Sequence, residues 1–255
     1  MKIISVTPEN VSEHGLFCIK DKKSPGFKKK LAWFQKRFEE GLKFRLIQAD
    51  DGGVAGFIEY IPSQYAWRPV DAKNYLFIHC IMMYPNKYKG HQYGTRLVQS
   101  CLEDAKKNGK AGVAVMTSKG TWMADQRLFL KNGFKVVDKK DRFELLAFQI
   151  KKGPEPKFYD WPRELKKYKG WHLVYSDQCP WHDKAAEVLS KTAAENNIEL
   201  KVKKLATAKA AQKAPTGFGV FNLVKDGKVL ADHYISETRF KNILKKELVD
   251  YDPIG

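Results

Sequence analysis

Three groups of residues have the types and spacing to do chemistry. The first is the segment Met83-Tyr84-Pro85-Asn86-Lys87-Tyr88-Lys89-Gly90-His91-Gln92-Tyr93-Gly94-Thr95-Arg96-Leu97. An apolar run stops at a proline, a basic loop with glycine follows, and a helical pattern opens. Free N–H groups at a helix N-terminus, with the positive end of its dipole, cradle phosphate oxygens, and glycine lets the backbone approach closely. An ordinary turn is the competing reading. The second group is His79, on the apolar run just before this loop, and Glu59 in Gly56-Phe57-Ile58-Glu59-Tyr60. Imidazole titrates near neutrality and suits a general base; a core histidine satisfied by the backbone is the alternative. Glu59 is a second candidate base, or a solvated alternating residue. Cys80 adjoins His79, but neighbouring strand residues point to opposite faces, so a nucleophilic pair is not expected and Cys80 reads as core. The third group is Cys179-Pro180-Trp181-His182, a thiol where a helix begins. There the dipole and free N–H groups lower a thiol pKa. His182 would stabilise the thiolate, or the two would be metal ligands without evident companions, or the segment is a structural remnant.

The elements that must position these groups follow from periodicity. Residues 3–6, 44–49 and 54–61 read as strands, the last two joined by the turn at 50–53. Residues 27–40 read as a helix with Phe27, Leu31, Phe34 and Phe38 on one face. Residues 75–83 are nearly all apolar and read as a buried central strand. Residues 93–107 and 124–131 read as helices, the second closed by Asn132-Gly133, and 112–116, 134–137 and 143–150 as strands. After 151–169, broken by three prolines and many charges, the pattern is a strand (171–175), a helix (180–196), a strand (199–203), a hairpin (219–224 and 228–233, turn at Asp226-Gly227) and a helix (236–248). The Lys/Ala-rich stretch 201–213 reads as a helical connection. Trp67, Trp122 and Tyr65 fall in expected loops, where they would wall a pocket, stack on adenine, or pack between domains.

Composition limits the classes. The 255 residues favour two domains, and 15 Phe, 11 Tyr and 6 Trp are enough aromatics to build a core, which argues against disorder. No apolar run approaches the roughly 20 residues of a membrane span, and the start of the chain lacks a signal-peptide pattern, so a cytoplasmic protein is expected with no membrane partner. The four cysteines show no Cys-x-x-Cys pair, so neither a disulfide framework nor a four-cysteine zinc site is suggested and no metal is expected. The net charge is +17, which fits an anionic ligand or simply a solvated lysine-rich surface.

The segment 89–94, Lys-Gly-His-Gln-Tyr-Gly, resembles the acetyl-CoA-binding motif Arg/Gln-x-x-Gly-x-Gly/Ala of the GNAT family of N-acetyltransferases. Lys89 and Gln92 depart from the pattern, and Gly94 keeps it. Leu128-Phe129-Leu130-Lys131-Asn132-Gly133-Phe134 resembles the family's Leu-Tyr-x-x-x-Gly-Phe signature. The resemblance covers about residues 1–150. It implies an α/β (α+β) chain with the GNAT acyl-CoA N-acyltransferase fold around a central mixed sheet. It also implies acetyl-CoA as co-substrate and direct transfer to an amine of a small molecule or peptide. Ile81, Met82 and Met83 would contact the acetyl group through the backbone on a strand that splays to admit CoA. Lys89, Gly90, His91, Gln92, Tyr93, Gly94 and Thr95 would hold its phosphates. The family's acid, a tyrosine, is Phe129 here, so water, Tyr84 or Tyr93 would protonate the leaving thiolate, with His79 or Glu59 as base. The acceptor pocket would come from residues 16–30 and 62–74.

Residues 170–255 resemble a small thioredoxin-like β-α-β-β-β-α domain: Cys179 follows the first strand and Pro215, expected cis and facing the cysteine, precedes the third. The resolving cysteine of Cys-x-x-Cys is absent. The whole arrangement, 1–150, a linker at 151–169 and 170–255, is similar to the bacterial YoaP-type acetyltransferases. A thiol-based binding or redox protein using Cys179, with a vestigial CoA site, is the second reading. Nucleic-acid binding ranks last, since no such module is recognisable. Oligomeric state is not legible.

Overall fold

The computed structural model describes residues 1–120 and 122–249. The elements, in chain order, are β1 (Lys2–Val6), α1 (Val11–His14), α2 (Pro25–Phe38), β2 (Lys43–Gln48), β3 (Val54–Pro62), β4 (Val70–Asp71), β5 (Tyr75–Met83), α3 (Tyr93–Lys107), β6 (Gly112–Ser118), α4 (Gln126–Lys131), β7 (Lys135–Lys140) and β8 (Phe143–Gln149). Then come β9 (Lys157–Phe158), α5 (Trp161–Leu165), β10 (Trp171–Tyr175), α6 (His182–Glu195), β11 (Leu200–Lys204), α7 (Ala208–Ala211), β12 (Phe221–Lys225), β13 (Lys228–Ala231) and α8 (Glu237–Val249).

A seven-stranded mixed sheet runs β1-β2-β3-β5-β6-β8-β7. Its single parallel pair, β5 with β6, is joined by the crossover helix α3. The apolar side of α3 (Leu97, Val98, Cys101, Ala105) packs with Phe129 and Phe134 against Ile58, Tyr60, Ile78 and Val115 on one sheet face. The opposite face (Phe44, Phe57, Phe77, Met116, Phe143) receives α2 through Phe27, Trp33 and Phe34. The second sheet, β11-β10-β12-β13, has β10 parallel to β11 and antiparallel to β12.

One continuous apolar cluster joins the halves. Trp67, Phe143 and Trp161 belong to the same cluster as Phe218, Val220 and Phe221. Backbone approaches back to it: a Cβ at Gly219, whose φ is +77°, would lie 3.1 Å from the Trp67 carbonyl oxygen. A Cβ at Gly26 on α2 would collide with the Pro180 carbonyl. The segment 151–169 is itself structured. Its β9 pairs with β4, and Trp161 is buried between Phe143 and Phe158.

Several expected elements shift for local reasons. The stretch 201–213 opens in strand β11, because residues 200–204 pair with β10, and only the four residues of α7 are helical. Asp125 caps α4 by accepting from Arg127 N–H, so that helix starts later than its apolar pattern does. The Cys179–Trp181 segment is a turn before α6. The Ala214–Pro215 bond is not cis; the cis bond among the described residues is Tyr84–Pro85.

Because Trp161 is buried against Phe143 in the shared apolar cluster, Trp161→Ala is expected to cost about 3–5 kcal/mol. Denaturant unfolding should show the loss in one transition; two resolved transitions in the wild type would contradict a shared core.

Candidate active site

The site forms where β5 stops pairing with β6. The two strands are in register from Tyr75↔Gly112 to Ile78↔Val115 and no further. Of the remaining residues of β5, Cys80–Met83 pair only with β3, so a wedge opens between β5 and β6. This is the splay expected of that strand. Next to it, the chain turns through Gly90 (φ +85°) and Gln92 (φ +61°) into α3. The first bond into the helix is Arg96 N–H to Gln92 O at 3.0 Å. The amides of residues 90–95 meet no acceptor among the described residues, and nothing stands within 4 Å of where a Gly90 Cβ would be. Lys89, Gly90, His91 and Gln92 are exposed, and Tyr93, Gly94 and Thr95 half-buried, so these donors face outward. Gly94 sits where a Cβ would touch Leu128, which seats α3 against the α4 segment. Such a row of free amides at a helix start is an anion cradle.

A β-bulge sets the other side of the site. Glu59 opposes Cys80 and Tyr60 opposes Ile78, so His79 is the extra residue on β5. The bulge cancels the expected alternation: His79 and Cys80 line the same cavity instead of opposite faces. Cys80 is therefore not core. Its accessible surface faces the cavity, whose walls still desolvate the thiol and push it up to about 12. Beyond the bulge, Ile81 and Met83 pack towards α3, and Met82 points to the cavity side.

The cavity, about 140 Å³, lies between the halves. Glu59 is buried at its floor. Its Oε2 accepts from Lys30 Nζ, its Oε1 accepts from Gln178 Nε2 at 3.0 Å, and His79 Nδ1 lies 3.3 Å from Oε1. Burial opposes the carboxylate charge, but Lys30 and His79 outweigh it and hold Glu59 at about 2. His79 Nε2 accepts the Trp67 N–H at 2.9 Å. Burial lowers its pKa to about 4. Neutral His79 therefore carries its proton on Nδ1, towards Glu59, and its one lone pair is taken by the backbone. So arranged, the Nε2 lone pair of His79 is occupied, and both Glu59 oxygens already accept a hydrogen bond.

Cys179 departs from expectation too. Its backbone turn does supply a Trp181 N–H, but burial dominates and raises the thiol to about 11. His182 does not pair with it. The ring is buried, its Nδ1 lies 3.1 Å from Ser176 O, and burial lowers its pKa to about 3. Cys18, pushed well up by burial, is a third thiol on the same cavity. Tyr84 is exposed on a larger adjoining cleft of about 780 Å³, walled by Phe17 and Ile19 on one side and Pro180 and Trp181 on the other. Phe129 is fully buried against Phe134, with no hydroxyl to offer. Trp67 is buried against Trp33 at the junction of the halves, while Trp122 is half exposed and touches Tyr234.

Sequence reasoning did not single out Lys30, Arg68, Gln178 or Cys18. One signal was present for Lys30: a charge three residues after Phe27 and four before Phe34, on the apolar face of its helix. Gln178 belongs to the second half and meets Glu59 only through the tertiary fold.

A splayed parallel pair beside a row of free helix-start amides, on a mixed sheet, is a site built to take an anionic ligand into the wedge. Residues 13–134 match the model of the acetyltransferase (GNAT) family, and residues 199–242 match the YoaP-like family. The two matches fall in the first and the second half of the chain, in that order. It is 26% identical over 251 residues, 96% of this chain and 98% of the relative, to a Bacillus subtilis (strain 168) protein described as the uncharacterized N-acetyltransferase YoaP. Similar solved structures include yncA from Salmonella typhimurium with acetyl-CoA (17% identity, 60% of this chain and 96% of that one, TM-score 0.43). Another is the PaiA N-acetyltransferase from Thermoplasma acidophilum with coenzyme A (17% identity, 58% and 99%, TM-score 0.41). No helix among the described residues is long and apolar enough to cross a membrane.

Two measurements check the electrostatics. Between about pH 6.5 and 4 the unfolded chain binds protons that folded His79 and His182 refuse, so acidification across that window should lower stability by about 3 kcal/mol for each. Urea titrations at pH 7 and 4 measure the loss, and His79→Asn should remove about half of the slope. Iodoacetamide labelling of Cys179, followed by peptide mass spectrometry, should be slow at pH 7.5 and rise about tenfold per pH unit towards about 11. A plateau below pH 8 would identify a thiolate instead.

Proposed function

We propose that the protein is an acetyl-CoA-dependent N-acetyltransferase that transfers the acetyl group directly to an amine. The observation that carries this reading is the opening of β5 from β6 beside the unpaired amides of residues 90–95. Bound acetyl-CoA would supply the acetyl group and a thiolate leaving group. Gly90, His91, Gln92, Tyr93, Gly94 and Thr95 hold its pyrophosphate through backbone N–H groups, with Lys89 adding charge. Lys87 contributes less, since it pairs with Asp51 at 2.8 Å. Tyr84 N–H goes to Ala55 O on β3, so by strand alternation Met82 N–H faces β3 too, and the Ile81 and Met83 N–H groups face the β6 side and donate to the acetyl carbonyl as negative charge develops there, with Met82 adding its side chain. Tyr84 is the phenol that replaces the acid missing at Phe129: it lines the cleft beside Met82. His79 and Glu59 position the floor, and the amine proton leaves to cleft water.

The order β11-β10-β12-β13, with β10 parallel to β11, supports a thioredoxin-like reading of residues 170–255. High thiol pKa values and the absence of a Cys-x-x-Cys pair weigh against dithiol exchange there. That half walls the acceptor cleft through Pro180 and Trp181. Four free cysteines fit a reducing cytoplasm.

Calorimetric titration should show acetyl-CoA binding, and Lys89→Glu should weaken it about tenfold at low salt, less at high salt. No binding by the wild type would end the acetyltransferase reading. Tyr84→Phe should lower kcat for acetyl transfer at least tenfold with little change in acetyl-CoA affinity; an unchanged kcat would remove Tyr84 as the acid.

A further inference from the structure

Arg68 is a buried cation without a counter-ion. Only 6% of its surface is exposed, and it lines the cavity between the halves. Nη1 donates to Trp67 O and to Gln178 Oε1, each at 2.8 Å. The guanidinium has five N–H donors, and those on Nε and Nη2 meet no protein acceptor among the described residues. Nor are they sealed: neither atom is among the buried polar atoms that lack a partner, so both keep surface on the cavity. The guanidinium also lies 5.0 Å over the Phe218 ring, which fixes its plane.

The charges around the cavity do not balance. Lys30 and Arg68 are cationic, and Glu59, already paired to Lys30, is the one carboxylate lining the space. His79 and His182 are neutral, and burial keeps the thiols of Cys18, Cys80 and Cys179 protonated, so no thiolate serves as counter-ion. A buried guanidinium left this way is costly unless a ligand completes it.

We infer that Arg68 is the carboxylate-binding residue of the acceptor site and that the acceptor is an amine bearing a carboxylate, an amino acid of small side chain. This rests on the acetyltransferase reading. A planar carboxylate accepts from Nε–H and Nη2–H together, which a point cation would not match. The cavity of about 140 Å³ has room for a carboxylate and a short side chain, with Phe57, Phe218 and Val220 as its apolar wall. Met82 lines both this cavity and the larger cleft. A ligand anchored at Arg68 therefore extends its amine past Met82, towards the wedge between β5 and β6. Gln178 holds Arg68 and Glu59 at once, so the second half of the chain sets the guanidinium in place.

Two experiments test this, and acetyl-CoA titration accompanies both. In the first, the thermal midpoint is read in sodium formate or acetate against sodium chloride at equal ionic strength. The wild type should gain about 3 °C or more from the carboxylate once it stands tenfold above its Kd, and Arg68→Met should gain nothing. Equal midpoints in carboxylate and chloride for the wild type overturn the inference. In the second, small amino acids and their α-amides are offered with acetyl-CoA, and acetylated products are read by mass spectrometry. The acid should exceed its amide in kcat/KM by about tenfold to a hundredfold, and Arg68→Met should erase that preference while still binding acetyl-CoA. Amides acetylated as well as acids overturn the inference. If neither is acetylated, the salt experiment decides. Should Arg68→Met fail to fold, Arg68→Lys keeps the charge but loses the fork, and the carboxylate effect should shrink. Loss of acetyl-CoA binding with the carboxylate effect intact would instead sink the acetyltransferase reading and leave the anion site standing.

Discussion

The buried pair of Lys30 and Glu59 is the constraint on which the rest of the structure depends. Both side chains are 1% exposed and come from different elements, α2 and β3. Two charges withdrawn from water are tolerated only if their remaining donors and acceptors are met. Gln178 donates to Glu59, His79 Nδ1 stands 3.3 Å from the same oxygen, and the Trp33 ring, 4.2 Å from Lys30 Nζ, lies against the ammonium. Each partner then imposes its own requirement. His79 needs the Trp67 amide, Gln178 needs Arg68, and so the loop after β3, the bulge on β5 and the turn before α6 are drawn to one point.

The two reactants of the proposed transfer meet different kinds of surface. The cofactor side is backbone: open strand edges and helix-start amides, which tolerate Lys89 and Gln92 because side chains contribute little there. The acceptor side is made of side chains from both halves, closed by large residues such as Trp181 and Phe218. Such a division lets a common fold keep its donor while its acceptor is set locally.

Much of the first side was legible in the sequence. The strand 75–83 and the helix 93–107 have the same limits in the structure, since an apolar run bounded by proline and an amphipathic run after a glycine loop are local properties. The acceptor side was less legible. Cys80 was misplaced because a bulge depends on cross-strand register, which alternation along one strand does not report. The chemistry of Cys179 stayed open among three readings because a helix start contributes about 1 kcal/mol to a thiolate, and the opposing desolvation by a packed second half is a tertiary property. Arg68 and Gln178 are separated by 110 residues, and no periodicity joins them.

Gln178 also fixes when the pocket can exist. The chain leaves the ribosome from its N-terminus, and the strands, loop and helix that border the wedge, β6 included, are all made before residue 119. The floor at Glu59 lacks its amide partner, and the guanidinium of Arg68 lacks its anchor, until the turn at residues 178–182 has emerged. Until then the chain has no finished place for an acceptor, and amines it meets during synthesis find no site complete enough to hold them.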